Sequence, residues 1–241
     1  MANDKQINFN PYQASDVFWT QLYRSIEIIF DDVYKNICQC FQQNEELRQQ
    51  AKYNTGSISV IDAINLLCLS HYFDLRSIAE VGTFIGNSTI AMAYGIELNK
   101  QTGQIHSCDL SNNISLNNPF TNISIQQFPE QSSTQMLNQL VQQGVELDAC
   151  YLDGRLQDED LPLLDRLIGK DVIIALDDFE GMEKGVANLM KLSTMEKLRG
   201  HVLIHPPSFS NFSSLPIFKT SYSRSLTAVF IPGNRFVFTR Q

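Results

Sequence analysis

The run Glu80-Val81-Gly82-Thr83-Phe84-Ile85-Gly86 sets one carboxylate and two glycines between an apolar stretch and an amphipathic one. Such an order suits a strand that turns sharply into a helix beneath a ligand. Gly82 frees the backbone to leave the strand, and Gly86 lets a ligand approach main-chain N–H groups that a Cβ would obstruct. Asn87 and Ser88 then open the helix as good capping residues and leave donors facing a ligand carboxylate. Asp109 closes the next apolar run, where a carboxylate can accept both hydroxyls of a ribose, although a helix cap explains it equally well. An ordinary strand-turn-helix junction also accommodates two glycines. The spacing is not G-x-G-x-x-G, which disfavours a nicotinamide dinucleotide.

A second constellation lies further on. Tyr151-Leu152-Asp153-Gly154 ends one apolar run and Leu176-Asp177-Asp178-Phe179 ends the next. If both runs are parallel strands, three carboxylates converge in the crevice beyond their C-terminal ends. Like charges so close repel unless protons, basic groups or a cation intervene, and a hard divalent ion with oxygen ligands is one resolution. The alternative has Asp153 capping a helix or meeting Arg155, Asp177 bonding backbone N–H groups and Asp178 facing water.

The elements that must position these residues follow from periodicity. From Ser77 onward, short apolar runs alternate with amphipathic stretches, the pattern of parallel strands joined by crossover helices. Strands are expected at Ser77 to Val81, Gln104 to Cys108, Ile123 to Phe128, Asp148 to Leu152 and Val172 to Leu176. Helices are expected at Asn87 to Leu98, Ser132 to Gln143, Leu161 to Ile168 and Glu183 to Leu192. The pattern then changes to His201 to His205, Leu226 to Ile231 and Phe236 to Thr239, and the turn at Pro232-Gly233-Asn234 suits an antiparallel hairpin. Ahead of all this, Phe18, Trp19, Leu22, Tyr23, Ile26 and Ile29 recur at helical spacing, a Gln-rich stretch runs from Gln42 to Gln50, and a second helix spans Val60 to Tyr72. The aromatic stripe fits core or a homo-oligomer interface better than a ligand cage. The expected division is a helical extension and loop over 1–56 and the main domain over 57–241.

Composition narrows the function classes. In 241 residues, 26 acidic against 18 basic side chains give a net charge of -8, which would repel a phosphate backbone and makes nucleic acid a poor partner. No apolar run approaches the roughly 20 residues of a membrane span, and the opening residues lack a signal peptide's basic start and apolar run. A cytoplasmic location is expected. The five cysteines show no paired C-x-x-C spacing and read as reduced, mostly buried thiols.

Over roughly Ser57 to Phe179, these motifs resemble the class I S-adenosylmethionine-dependent methyltransferases, and specifically the catechol and macrocin O-methyltransferase groups. The resemblance implies an α/β, Rossmann-like methyltransferase fold with a mostly parallel seven-stranded sheet, a C-terminal antiparallel hairpin and helices on both faces. It further implies that Glu80, Gly82, Thr83, Phe84 and Gly86 surround the methionine part of S-adenosyl-L-methionine. Ser88 falls where the catechol type has a serine on the cofactor carboxylate, Asp109 falls at the ribose acid, and Gln131 and Ser132 lie along the adenine edge. The polar loop from Tyr53 to Ser59 is similar in place to the segment that passes over the cofactor. Asp153, Asp177 and Asp178 fill the positions of a magnesium site built from two aspartates and an asparagine, Asp178 standing for the asparagine, and Asp153 borders the reacting centre.

The catechol type carries a lysine base three residues after its first metal aspartate, and this chain has Leu156 there. Lys184 and His205 are the candidates for a replacement, each with a bland alternative as a solvated helix residue or a satisfied strand histidine. The function implied is O-methylation of a small-molecule acceptor, with alternatives in metal-independent N- or C-methylation and in a non-catalytic protein that binds the cofactor. The stretch from Pro206 to Tyr222 is long for a loop and reads as a lid or binding loop.

Overall fold

The central strand is β1 (Ser77–Val81), buried along its whole length, as expected of a strand with parallel neighbours and helices on both faces. In the computed structural model, which describes residues 11–51, 56–110, 115–180, 182, 184–207 and 226–235, it pairs in parallel with β2 (Gly103–Asp109) and β4 (Leu147–Leu152). β3 (Ile123–Pro129) extends the sheet beyond β2, and β5 (Ile168–Leu176) extends it beyond β4, again in parallel. β6 (His201–Ile204) and β7 (Ala228–Pro232) complete the order β3-β2-β1-β4-β5-β7-β6.

β7 runs antiparallel to both β5 and β6. The antiparallel ending expected from sequence is present at β7, while β6 keeps the direction of β1 to β5. Pro232 ends β7 and Gly233–Arg235 form a 3-10 turn. The strand expected at Phe236 to Thr239 lies outside the described residues.

Alternation along the strands divides the core. Ile78, Ala149, Tyr151, Ile173, Ala175, Val229 and Ile231 face the layer of α3 (Val60–Tyr72) and α4 (Asn87–Leu98). Ala79, Cys150, Leu152, Ile174, Leu176, Ala228 and Phe230 face the layer of α5 (Ser133–Gln143), α6 (Asp160–Leu167) and α7 (Gly185–Leu192). This period of two is what a sheet covered on both sides requires.

The N-terminal segment forms α1 (Pro11–Arg24), a 3-10 turn, α2 (Phe30–Glu45) and a second 3-10 turn over Glu46–Gln50. The Gln-rich stretch is thus helical, in keeping with glutamine's good helix propensity. The aromatic stripe is spent inside the chain: Phe18, Trp19, Leu22, Tyr23 and Ile26 join the core cluster of the α3 and α4 layer. Self-association through this helix would have to use its other face. Hydrogen bonds fasten the segment. Trp19 Nε1 donates to His205 O at 2.7 Å, Tyr23 OH to Asn65 Oδ1 at 2.6 Å, and Asn44 Nδ2 to Asn87 Oδ1 at 3.0 Å. Among the described residues, no helix is long and apolar enough to cross a membrane.

Candidate active site

The parallel register brings the C-terminal ends of β1, β2, β4 and β5 into line, with Val81 opposite Cys108 and Leu152, and Leu152 opposite Leu176. Backbone bonds carry the ladder one step further. Gly82 N donates to Cys108 O at 2.9 Å, Asp153 N to Val81 O at 3.0 Å, and Asp177 N to Leu152 O at 3.1 Å. Gly82, Asp109, Asp153 and Asp177 therefore emerge side by side where ligands bind in open α/β sheets.

The glycine loop is held in strained backbone. Gly82 has φ 100°, Phe84 φ 45° and Gly86 φ 79°, values that favour glycine and make Phe84 the costly member. A Cβ on Gly82 would lie 3.2 Å from the Asp153 carbonyl carbon, so this glycine lets β1 and β4 approach at the crevice. Phe84 N donates to Asp109 Oδ2 at 2.9 Å, which ties the loop to the end of β2. α4 starts from Gly86 without a side-chain cap. Asn87 and Ser88 are instead engaged elsewhere: Asn87 Nδ2 donates to Ser57 Oγ at 2.8 Å, and Ser88 Oγ donates to Glu80.

Glu80 is completely buried and also accepts from Thr89 Oγ1 and Ser107 Oγ, each at 2.5 Å. Burial pushes its carboxyl up to about 7 against the opposing pull of those three hydroxyls. Glu80 is thus the buried keystone of the loop and does not reach the open crevice. Thr83 Oγ1 bonds Ser107 Oγ. Of the residues expected along the adenine edge, Gln131 donates its N–H to Asp109 O at 3.1 Å and accepts from Gln139 at 2.7 Å. Ser132 is the N-cap of α5 in a capping box with Gln135.

The groove bounded by Thr83, Phe84, Ser107, Asp109, Gln127, Phe128 and Pro129 holds only about 10 Å³, against the roughly 300–1,000 Å³ of ordinary ligand pockets. The chain itself covers the neighbouring Gly86. Leu116 lies over Gly86, where a Cβ would meet its Cδ2 at 2.4 Å, and it clusters with Phe84, Ile85, Leu47 and Ala51. The Arg48 guanidinium sits 5.1 Å from the Phe84 ring centroid.

The carboxylates of the β4 and β5 ends line a cavity of about 300 Å³ with Gly56, Ser57, Ile58, Ser59, Asp62, Lys184 and Leu226. Lys184 Nζ lies 2.7 Å from Asp153 Oδ1 and 2.5 Å from Asp178 Oδ2. Asp178 reaches this position from a left-handed backbone, φ 49°, which aspartate tolerates better than most residues. Burial alone would lower the Lys184 ammonium, but its bonds to Asp153 and Asp178 outweigh that and hold it above its ordinary value. Asp153 rises through burial despite the pull of Lys184. Asp177 is turned away from the lysine, with its Oδ1 3.4 Å from the Thr227 hydroxyl. Burial, then the nearby Asp153 and Asp62 carboxylates, push its carboxyl well above the usual range, toward the protonated form. Asp62 is satisfied by Ser59 Oγ at 2.6 Å, Leu226 N at 3.1 Å and Thr227 Oγ1 at 2.9 Å.

The structure therefore gathers Asp153, Asp177, Asp178 and Lys184 and leaves His205 apart. Its ring packs edge-on against Phe179, with centroids 6.1 Å apart, while its backbone anchors α1 through Ser15 and Trp19. Leu156 is buried in the core of the α5, α6 and α7 layer, so no base operates from that position. Of the loop from Tyr53 to Ser59, residues 53–55 lie outside the described residues, as does most of the stretch from Pro206 to Tyr222. Sequence reasoning missed Thr89 and Ser107 around Glu80, Asp62 and Thr227 beside Asp177, and Leu116 over Gly86. Ser59 three residues before Asp62 is a capping signal that could have flagged one of them.

The three carboxylates do not fit a resident divalent cation as they stand. Two are committed to an ammonium, and among the described residues no group of three His, Cys, Asp or Glu is disposed to hold a metal ion.

No protein-family profile and no curated protein matches the sequence. Solved structures do match in shape. Cofactor-bound Rv0187 from MTB superposes with a TM-score of 0.54 at 14% identity, over 81% of this chain and 90% of that one. The O-methyltransferase from Bacillus cereus in complex with SAH gives 0.52 at 12% identity, over 86% and 96%. TomG from Streptomyces achromogenes, an O-methyltransferase involved in tomaymycin synthesis and solved with SAM, gives 0.51 at 14% identity, over 87% and 96%. The chain has the Rossmann-like class I methyltransferase fold, as the sequence resemblance implied.

Proposed function

We propose that the chain is an S-adenosylmethionine-dependent O-methyltransferase acting on a small molecule in the cytoplasm. The observation that carries this reading is the adjacency of two half-sites on one sheet edge: the Glu80 to Gly86 loop with Asp109, and the cavity of Asp153, Asp177, Asp178 and Lys184 beside it. Asp109 would take the cofactor ribose, with Gln131 and Ser132 at the adenine edge, and the glycine loop and the start of α4 the methionine part. The acceptor would enter the carboxylate and lysine cavity, so that its oxygen displaces the sulfonium methyl group in line. Positioning supplies most of the acceleration in such a transfer. A divalent cation on Asp153, Asp177 and Asp178, the finer expectation from sequence, would have to expel Lys184 first. The fixed lysine favours O-methylation without a divalent cation over the metal-assisted form.

Calorimetric titration with S-adenosylhomocysteine tests the cofactor half without knowledge of the acceptor. Micromolar binding is expected, weakened at least about tenfold by Asp109→Ala, which corresponds to roughly 1.4 kcal/mol. No binding at millimolar ligand would withdraw the methyltransferase reading.

A further inference from the structure

Sequence resemblance puts a divalent ion at the ends of β4 and β5, and the geometry puts an ammonium there. Lys184 Nζ bridges Asp153 Oδ1 and Asp178 Oδ2. The lysine is delivered by built structure. A Cβ on the next residue, Gly185, would sit 2.5 Å from Asp177 O and 3.1 Å from Phe179 Cα, so only glycine lets the start of α7 approach the β5 end this closely. One turn on, Asn188 donates its N–H to Lys184 O at 2.8 Å. Its buried side chain accepts from Leu156 N at 3.0 Å and donates to Gly154 O at 2.8 Å, which fixes the segment following Asp153 to the same helix.

We propose that Lys184 stands in place of the metal ion: held by Asp153 and Asp178, its ammonium presents its remaining N–H to a single acidic oxygen of the acceptor, and methyl transfer proceeds without a divalent cation. This deepens the methyltransferase reading and rests on it. An ammonium has three donors, and two are spent on the aspartates. A hard divalent ion can chelate two vicinal oxygens, whereas one remaining N–H addresses one. The acceptor class is therefore a compound with one acidic hydroxyl, a phenol or an enol, and a vicinal pair of hydroxyls confers no advantage. The acceptor hydroxyl releases its proton to solvent as it binds the ammonium. The resulting oxyanion forms a bond to the methyl carbon, the carbon–sulfur bond breaks with its electron pair returning to sulfur, and the products are the methyl ether and S-adenosylhomocysteine. Lys184 keeps its proton throughout.

The test uses the full chain, stripped with chelator, and manganese(II) as a paramagnetic probe of the cluster. The wild type and Lys184→Arg are expected to leave manganese free at millimolar concentration. Lys184→Gln, which uncovers the carboxylates, is expected to bind it at least about tenfold more tightly, and Asp153→Asn added to that variant abolishes the gain. Manganese bound by the wild type and lost in Asp153→Asn overturns the proposal, and so does manganese bound by none of the proteins. For the acceptor, 4-nitrophenol is titrated in the presence of S-adenosylhomocysteine and chelator. Its visible phenolate band is expected at lower pH on the wild type than in free solution, and not on Lys184→Gln. No binding, or an unshifted ionisation, overturns the assignment of an acidic-oxygen acceptor. S-Adenosylhomocysteine calorimetry on the same wild-type preparation separates a failure of the cofactor reading from a failure of this one.

Discussion

Glu80 has no contact with solvent, and its three hydroxyl donors do not compensate fully for lost hydration, so its carboxyl rises from an ordinary 4.5 to about 7. The folded state holds this proton more tightly than the unfolded chain does. Its contribution to stability is therefore fully present below about pH 4.5 and is lost as pH rises through about 7. Glu80→Gln removes that dependence. Urea unfolding at pH 4.5 and pH 8 is expected to show the variant gaining on the wild type by about 3 kcal/mol across the window, since each pKa unit is worth about 1.4 kcal/mol. A constant difference between the two proteins would mean that Glu80 is already ionised at low pH. The acid was legible in the sequence through its place before the glycines, but its partners were not. Thr89 and Ser107 carry no local signal and meet Glu80 only through the register of β1 against β2 and the packing of α4. The same holds for Lys184, whose link to Asp153 spans 31 positions and depends on how α7 returns to the sheet.

Between elements, contact distance decides more than propensity. Gly95 lies inside α4, where alanine would ordinarily be favoured by about 1 kcal/mol. At this position a Cβ would come within 2.4 Å of Leu67 O on α3 and 2.7 Å of Ser70 Cβ. A backbone carbonyl cannot turn aside as a side chain can, so Gly95→Ala must push the two helices apart. The expected result is a net loss of about 1–3 kcal/mol by chemical denaturation, and a stabilised variant would show that the helices slide at little cost. Both helices were read from sequence with the bounds they have, because an apolar run and the polar or glycine residues that bound it are local properties. Their closeness was not legible, since one glycine inside a helix reads the same whether it faces solvent or a neighbour. The helix over Phe30–Glu45 was not read from sequence, although Phe30, Val33 and Ile37 supply it with a buried face.

At the scale of the molecule, the residues before Ser57 share the core of the sheet. Trp19 is fully buried, and its indole bonds His205 O, 186 positions away. Trp19→Ala is expected to cost about 3–5 kcal/mol, and a chain starting at Ser57 should be recovered only as aggregate in expression and size-exclusion trials. A soluble, cooperatively melting truncation would support the division into 1–56 and 57–241 expected from sequence. Sheet order adds a constraint of timing. β6 joins the sheet only through β7, and β7 is the last described strand in the chain. Until β7 docks, β5 therefore keeps an open edge, and β6 has no described strand to pair with. Unpaired edges of this kind template intermolecular pairing. The hazard ends only when β7 docks between β5 and β6, so conditions that delay this last docking are expected to lower the soluble yield on refolding.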